Sequence, residues 1–169
     1  MKVFGVCGWK NTGKTTLMAG LVAELAGRGL RISAVKHAHH AAEVDLPGTD
    51  TFRHRSAGAG QVILATPRRW ALMTELRDGP EPPLADLLAR LDPCDLVLVE
   101  GYKHAAHPKI EAHRPEAARP LIAREQAAVR AVASTLPAAD PLFAGLAVPV
   151  LPLGDIPHIA DFVLAEVGL

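Results

Sequence analysis

Aromatic side chains are scarce in this chain, with two Trp, one Tyr and four Phe among 169 residues, so its core must be built from Ala, Leu and Val. An excess of one charge is missing too. The 18 basic and 18 acidic residues balance, which leaves no global field to draw the chain to nucleic acid or to an anionic membrane. Cysteine is limited to Cys7 and Cys94, at no metal-ligand spacing, and both read as buried free thiols in a reducing compartment. Long apolar runs are absent: the stretch from Ala138 to Leu153 is broken by Asp140, Pro141, Pro149 and Pro152 and cannot form a membrane-spanning helix. No charged leader or cleavage pattern precedes the first apolar run, so a cytoplasmic location is expected. The length suits one α/β domain burying ~70% of its unfolded surface.

What is present is a phosphate-binding signature. Gly8-Trp9-Lys10-Asn11-Thr12-Gly13-Lys14-Thr15 fits Gly-x-x-x-x-Gly-Lys-Thr. The apolar run Val3 to Cys7 precedes it as a buried strand. Leu17, Leu21, Val22 and Leu25 follow at helical spacing and stop at Gly27-Arg28-Gly29. Strand, glycine loop and helix are the context in which Gly8 and Gly13 let backbone N–H groups of residues such as Asn11, Thr12 and Thr16 close on phosphate oxygens. Lys14 is expected to reach the β- and γ-phosphates and the Thr15 hydroxyl to ligate magnesium, so the chain is read as binding a nucleoside triphosphate.

Further along, residues 31–36 read as a second strand and 49–57 as a short helix, with Thr49 or Asp50 at its N-cap and Gly58 stopping it. Residues 61–66 and 70–75 flank Pro67-Arg68-Arg69. They are too close for a parallel crossover and predict an antiparallel hairpin inserted in, or appended to, the main sheet. Leu84, Leu87, Leu88 and Leu91 predict a helix closed by Asp92-Pro93. Residues 95–100 form an apolar run capped by acids, the mark of a central parallel strand. Strands are expected at 109–113 and 129–133, a weaker edge strand at 147–151, and an amphipathic helix from Ile156. The whole is read as a three-layer α/β/α phosphate-loop fold, one domain over 1–169, with the hairpin at about 61–75 as an insertion.

Two acids on one strand compete as magnesium partners. Asp95 and Glu100 lie five steps and ~16 Å apart, too far to share an ion. Ligands of parallel sheets bind at the carboxyl ends of strands, which favours Glu100, acting directly or through water. The segment from Lys36 through His37, His39 and His40 to Asp45 and Asp50 leaves the same end of the second strand. Its histidine spacing is not that of a zinc finger, and no cysteine pair completes it. One reading places it beside the γ-phosphate, with Asp45 reaching magnesium through water and Lys36 or a histidine reaching phosphate. A solvated loop is a second, and a transition-metal site a third.

These motifs together resemble those of the MobB family of molybdopterin-guanine dinucleotide biosynthesis adaptor proteins. The resemblance rests on the phosphate loop, Lys36-His37-x-His39-His40 with Asp45, and Pro47-Gly48-x-Asp50. Ala57-Gly58-Ala59, Arg69 to Glu75 and Leu98-Val99-Glu100-Gly101-Tyr102-Lys103 complete it, dense from Val3 to about Lys109. It implies a GTP-binding homodimer with slow, magnesium-dependent hydrolysis. The implied partners are a molybdenum cofactor guanylyltransferase and molybdopterin-bearing proteins, with the 61–75 hairpin taking part in dimerisation. The Asn-Lys-x-Asp motif that reads guanine in small GTPases is missing, and Ser134-Thr135 stands where the family often supplies an aspartate. A phosphate-loop small-molecule kinase and a nucleotide-binding scaffold that never turns over are the alternative functions; Arg114, Arg119, Arg124 and Arg130 are too scattered for a kinase lid.

Overall fold

The run Lys2–Cys7 forms β1, and the chain then turns through the glycine loop into α1, Lys14–Gly27. Ile32–Lys36 is β2, Leu96–Glu100 a later strand, and the computed structural model describes residues 1–38 and 44–169 of the chain. Two compact units result: Met1–His37 with Leu91–Leu169, and Ala38–Arg90.

The smaller unit holds α2 (Asp50–Ser56), β3 (Gln61–Ala65), β4 (Trp70–Thr74) and α3 (Leu84–Leu88). Thr49 is the N-cap of α2, its hydroxyl accepting from the Phe52 N–H at 3.4 Å, and Gly58 sits just beyond the helix end at φ 113°. The hairpin is antiparallel as its spacing required, but β3 and β4 pair only with each other and form their own two-stranded sheet. Arg55 ties the unit together, with its guanidinium 3.5 Å from Asp45 and 2.5 Å from Glu75.

In the larger unit Leu96–Glu100 becomes β5, Lys109–His113 β6, Val129–Ser134 β7, Val150–Pro152 β8 and Ile156–Val167 α4. Six strands run in the order β2-β5-β1-β6-β7-β8, and every pairing is parallel. Leu96 to Val99 are wholly buried, as an uninterrupted apolar run in a central parallel strand must be. β8 is an edge strand, where Pro149 forfeits no ladder bond and its carbonyl still accepts from Val132.

The faces of this sheet are covered by different means. On one, Phe4, Val6, Leu98 and Ile110 pack under α1 and α4 through Leu17, Leu21, Ile159 and Val163. The alternate residues of β6, Lys109, Glu111 and His113, are buried and polar, and each is bonded. The Lys109 ammonium donates to the Ala105 carbonyl. The Glu111 carboxylate accepts from the N–H groups of Ile122 and Ala123 at 3.0 and 2.9 Å. His113 Nδ1 lies 3.0 Å from the Ser134 hydroxyl, which also accepts from the Leu136 N–H. Connecting loops are thus pinned to β6 by side-chain hydrogen bonds. Among the described residues no helix is long and apolar enough to cross a membrane.

Candidate functional site: a phosphate-loop cleft

The cleft is built where β1 ends. Gly8, at φ 144°, has no room for a side chain: a Cβ there would stand 2.5 Å from the Ala112 carbonyl oxygen and 2.7 Å from the Thr12 hydroxyl. Gly13, at φ 91°, is the N-cap of α1 and brings no side chain to cap it. The first turn carries Lys14, Thr15 and Thr16 and no acid, so its N–H groups and the helix dipole face a site with no built-in anion. Asn11 adopts a left-handed φ of 66°, which asparagine tolerates better than other side-chain-bearing residues and which turns the loop toward α1. The Thr12 hydroxyl closes the loop on itself by donating to the Trp9 carbonyl at 2.9 Å.

A cleft of about 480 Å³ opens over this turn, lined by residues 10–16 with Glu100 and Arg114. That volume falls in the range of nucleotide and small-ligand sites. The Lys14 ammonium donates to the Trp9 carbonyl at 2.5 Å. Burial pulls its pKa down from the usual lysine value, as do the nearby Lys103 and Lys36, against the opposing pull of Glu100. A polyanion would relieve that crowding of positive charge. Cys7, one residue before Gly8, is wholly buried, and burial together with the neighbouring Glu111 pushes its thiol up to about 12.

Of the two acids that bracket the 95–100 run only Glu100 reaches the loop. Its Oε1 accepts from the Thr15 hydroxyl at 3.2 Å and lies 3.4 Å from the Lys36 ammonium. Asp95 sits at the other end of the strand and is paired with Arg31 at 2.9 Å. A hydroxyl and a carboxylate side by side beneath a phosphate cradle form the sparse oxygen set that magnesium takes from a protein, the rest coming from water and phosphate. The donor set fits that ion. The other predicted residues are placed differently. The His37 N–H donates to the Glu100 carbonyl at 2.9 Å, and the His37 ring stacks on Tyr102 with centroids 4.5 Å apart. Asp45 accepts from Thr49 and Thr51 at 2.9 and 3.0 Å within the smaller unit, and Asp50 opens α2 there. His39 and His40 lie outside the described residues. Among those residues no three His, Cys, Asp or Glu side chains converge on a metal position.

Arg114, weighed in the sequence only as a lid arginine, lines the cleft itself. It follows β6 by one position, and its guanidinium would lie 3.2 Å from a Cβ on Gly13. The only pointer was its place just past the carboxyl end of a predicted strand. It also lines an adjoining cavity of about 500 Å³ formed with Leu17, Thr135, Leu153 and Ile156, with Gly13 and Thr16 shared between the two. Ser134, beside Thr135, is committed to His113 and Leu136.

Glycine loop, strand-end acid and parallel order define a P-loop NTPase fold. Comparison with known proteins narrows this. The family described as molybdopterin guanine dinucleotide synthesis protein B matches residues 3–135, and the chain belongs to that family. It is 43% identical over 164 residues to the molybdopterin-guanine dinucleotide biosynthesis adapter protein of Escherichia coli (strain K12), covering 92% of this chain and 87% of that one. The adapter protein of the same description from Haemophilus influenzae is 42% identical over 164 residues, covering 95% and 86%. A crystal structure of a MobB homolog from Bacillus stearothermophilus superposes with a TM-score of 0.71 at 32% identity over 99% of both chains. Bacillus subtilis MobB superposes with a TM-score of 0.74 at 25% identity, covering 99% and 98%.

Proposed function

We propose that this chain is a GTP- and magnesium-binding adapter in the formation of molybdopterin-guanine dinucleotide, acting with a guanylyltransferase and with molybdopterin-bearing proteins. The observation that carries the nucleotide part is the cradle of residues 8–15 with Thr15 bonded to Glu100 at 3.2 Å; family membership carries the rest. In this reading the loop amides and Lys14 hold the phosphates, and Thr15 and Glu100 hold the ion, which supplies positive charge to the phosphate oxygens. The purine lies in the apolar cavity past Leu17 and Leu153, and Arg114 stands between phosphates and base. Guanine is assigned by family, since no Asn-Lys-x-Asp motif is present. Residues 1–169 act as one nucleotide-binding domain, with the hairpin segment an insertion that pairs two copies of the chain. In that segment Asp45, Asp50, His39 and His40, with Lys36 and His37 at its root, respond to the γ-phosphate.

Turnover is slow in this reading. Among the described residues Glu100 is the one carboxylate lining the cleft and is engaged by Thr15 and Lys36, so none of them is free to orient an attacking water. A kinase lid has no support from the later arginines. Arg124 donates to the Leu142 and Ala144 carbonyls and Arg130 pairs with Glu166, while only Arg114 lines the cleft. Calorimetry tests the proposal. GTP with magnesium is expected to bind the parent chain and to lose about 100-fold or more in affinity in Lys14→Ala, since charge-assisted contacts to two phosphates are removed at once. Equal affinities would refute it.

A further inference from the structure

A second hollow, of about 380 Å³, shares the phosphate loop with the nucleotide cleft. Lys10 and Asn11 line both, and Trp9, Glu116 and Arg119 complete the second. The indole is held rigidly. Its Nε1 donates to the Pro120 carbonyl at 2.8 Å, and the ring packs at the edge of the cluster of Cys7, Ile122 and Val129. Two cations attend it, the Lys103 ammonium 4.3 Å and the Arg119 guanidinium carbon 5.6 Å from the ring centroid. Among the described residues neither of these, nor Lys10, nor Glu116, takes part in an ion pair.

Each feature selects part of a ligand. A fixed indole ring lining a hollow, with the Arg119 guanidinium over it as the group a ligand's phosphate would draw off, suits a planar heterocycle. Unpaired guanidinium and ammonium groups suit a phosphomonoester dianion. The Glu116 carboxylate, lining the same hollow, is the acceptor that a ring edge presenting two adjacent N–H donors requires, as the 2-amino-4-oxopyrimidine edge does. We propose that this hollow is a second ligand site for a 2-amino-4-oxopyrimidine ring bearing a phosphomonoester, seated beside the nucleotide through Lys10 and Asn11. Trp9 stacks on the ring, Glu116 accepts from its amino edge, and Arg119 with Lys10 takes the phosphate. A pterin phosphate and a guanine mononucleotide share this chemistry. The inference rests on the nucleotide reading of the loop only for the identity of the neighbour. It gives the adapter a physical meaning, since two phosphorylated partners are held on the two flanks of one loop.

Tryptophan fluorescence tests it. In a Trp70→Phe background Trp9 is the sole tryptophan, and it is excited beyond the absorption of Tyr102. With the loop saturated by magnesium and a non-hydrolysable GTP analogue, 6-hydroxymethylpterin phosphate and GMP are titrated separately with inner-filter correction. Saturable quenching is expected, and binding about tenfold weaker in Arg119→Ala and in Glu116→Gln, the size of one lost charge-assisted contact. Calorimetric affinity for the analogue should be unchanged in both. Tighter binding of the pterin assigns the site to a pterin, and tighter binding of GMP to a nucleotide. Quenching by neither ligand, quenching abolished by the analogue, or parent-like binding in both variants overturns the proposal. Failure of the analogue itself to bind refutes the nucleotide reading instead; the titrations, repeated without it, still decide the hollow.

Discussion

His107 shows how much one side chain is constrained by its surroundings. Its ring lies against the backbone of β1, so that a Cβ on Gly5 would stand 2.6 Å from its Nε2, and that nitrogen is buried with no hydrogen-bond partner. Burial, reinforced by the Lys109 charge, pushes its pKa down from 6.5 to about 4. The sign follows from proton binding. The unfolded chain takes up a proton near 6.5 while the folded chain refuses it until about 4, so the stabilisation is present above 6.5 and is lost as pH falls through that window. His113 is shifted in the same direction by burial and stays in place in both proteins compared. The melting temperature of the parent should therefore fall more steeply between pH 6.5 and 4 than that of His107→Gln. Parallel melting curves across that range would rule the account out. At this scale the sequence was readable where chemistry is local. Gly8, Gly13, Lys14 and Thr15 form one contiguous pattern, and Glu100 ends an apolar run. Arg114 and the ring of Trp9 were not readable in the same way. Their neighbours come from the parallel pairing of β6 with β1 and from the 114–124 loop folding back onto residue 9.

At the scale of elements, β6 does two jobs. Its apolar residues fill the core and its polar ones anchor loops. Glu111 is the clearest case, 1% exposed, with both carboxylate oxygens taken by the backbone at Ile122 and Ala123. Burial raises its pKa against those two N–H bonds. Glu111→Ala leaves two buried donors without acceptors and a void, and is expected to cost about 2–4 kcal/mol in urea unfolding. Trypsin should then cut sooner at Arg124, beside the released turn; an unchanged midpoint and digestion rate would contradict the anchoring role. Lys109 to His113 was readable as a strand, but burial of its three polar residues was not, since their partners lie 4 to 21 positions away. The leucines at 84–91 predicted a longer helix than the five residues of α3. Pro83 offers no side-chain cap at one end, and the N–H of Arg90 turns back to the Leu87 carbonyl at the other.

For the whole molecule the most conspicuous surface is on the hairpin. Its register sets Ile63 opposite Leu72 and Ala65 opposite Trp70, so these four share one face. Ile63, Leu72 and Trp70 are 63%, 40% and 69% exposed. A two-stranded sheet is marginal alone in water, and an apolar face of this kind is normally covered. Under the proposed dimerisation, Ile63→Lys combined with Trp70→Lys should convert a sedimenting dimer into a monomer at micromolar concentration, with little change in GTP affinity. A parent chain that sediments as a monomer with nucleotide bound would remove the dimer. The alternation of strands and helices declared the α/β class, but the order β2-β5-β1-β6-β7-β8 was not legible. Apolar runs of similar composition are interchangeable until crossovers place them.

The two thiols differ in a way that has a practical side. Cys7 is sealed at the carboxyl end of β1 with its proton held to about pH 12, whereas Cys94 is partly open ahead of β5, its Sγ 3.5 Å from the Met1 sulfur. A maleimide dye therefore has one address on the unaltered chain. That address is a full strand length from Thr15, so a fluorophore there can follow loading of the opposite rim without intruding on it.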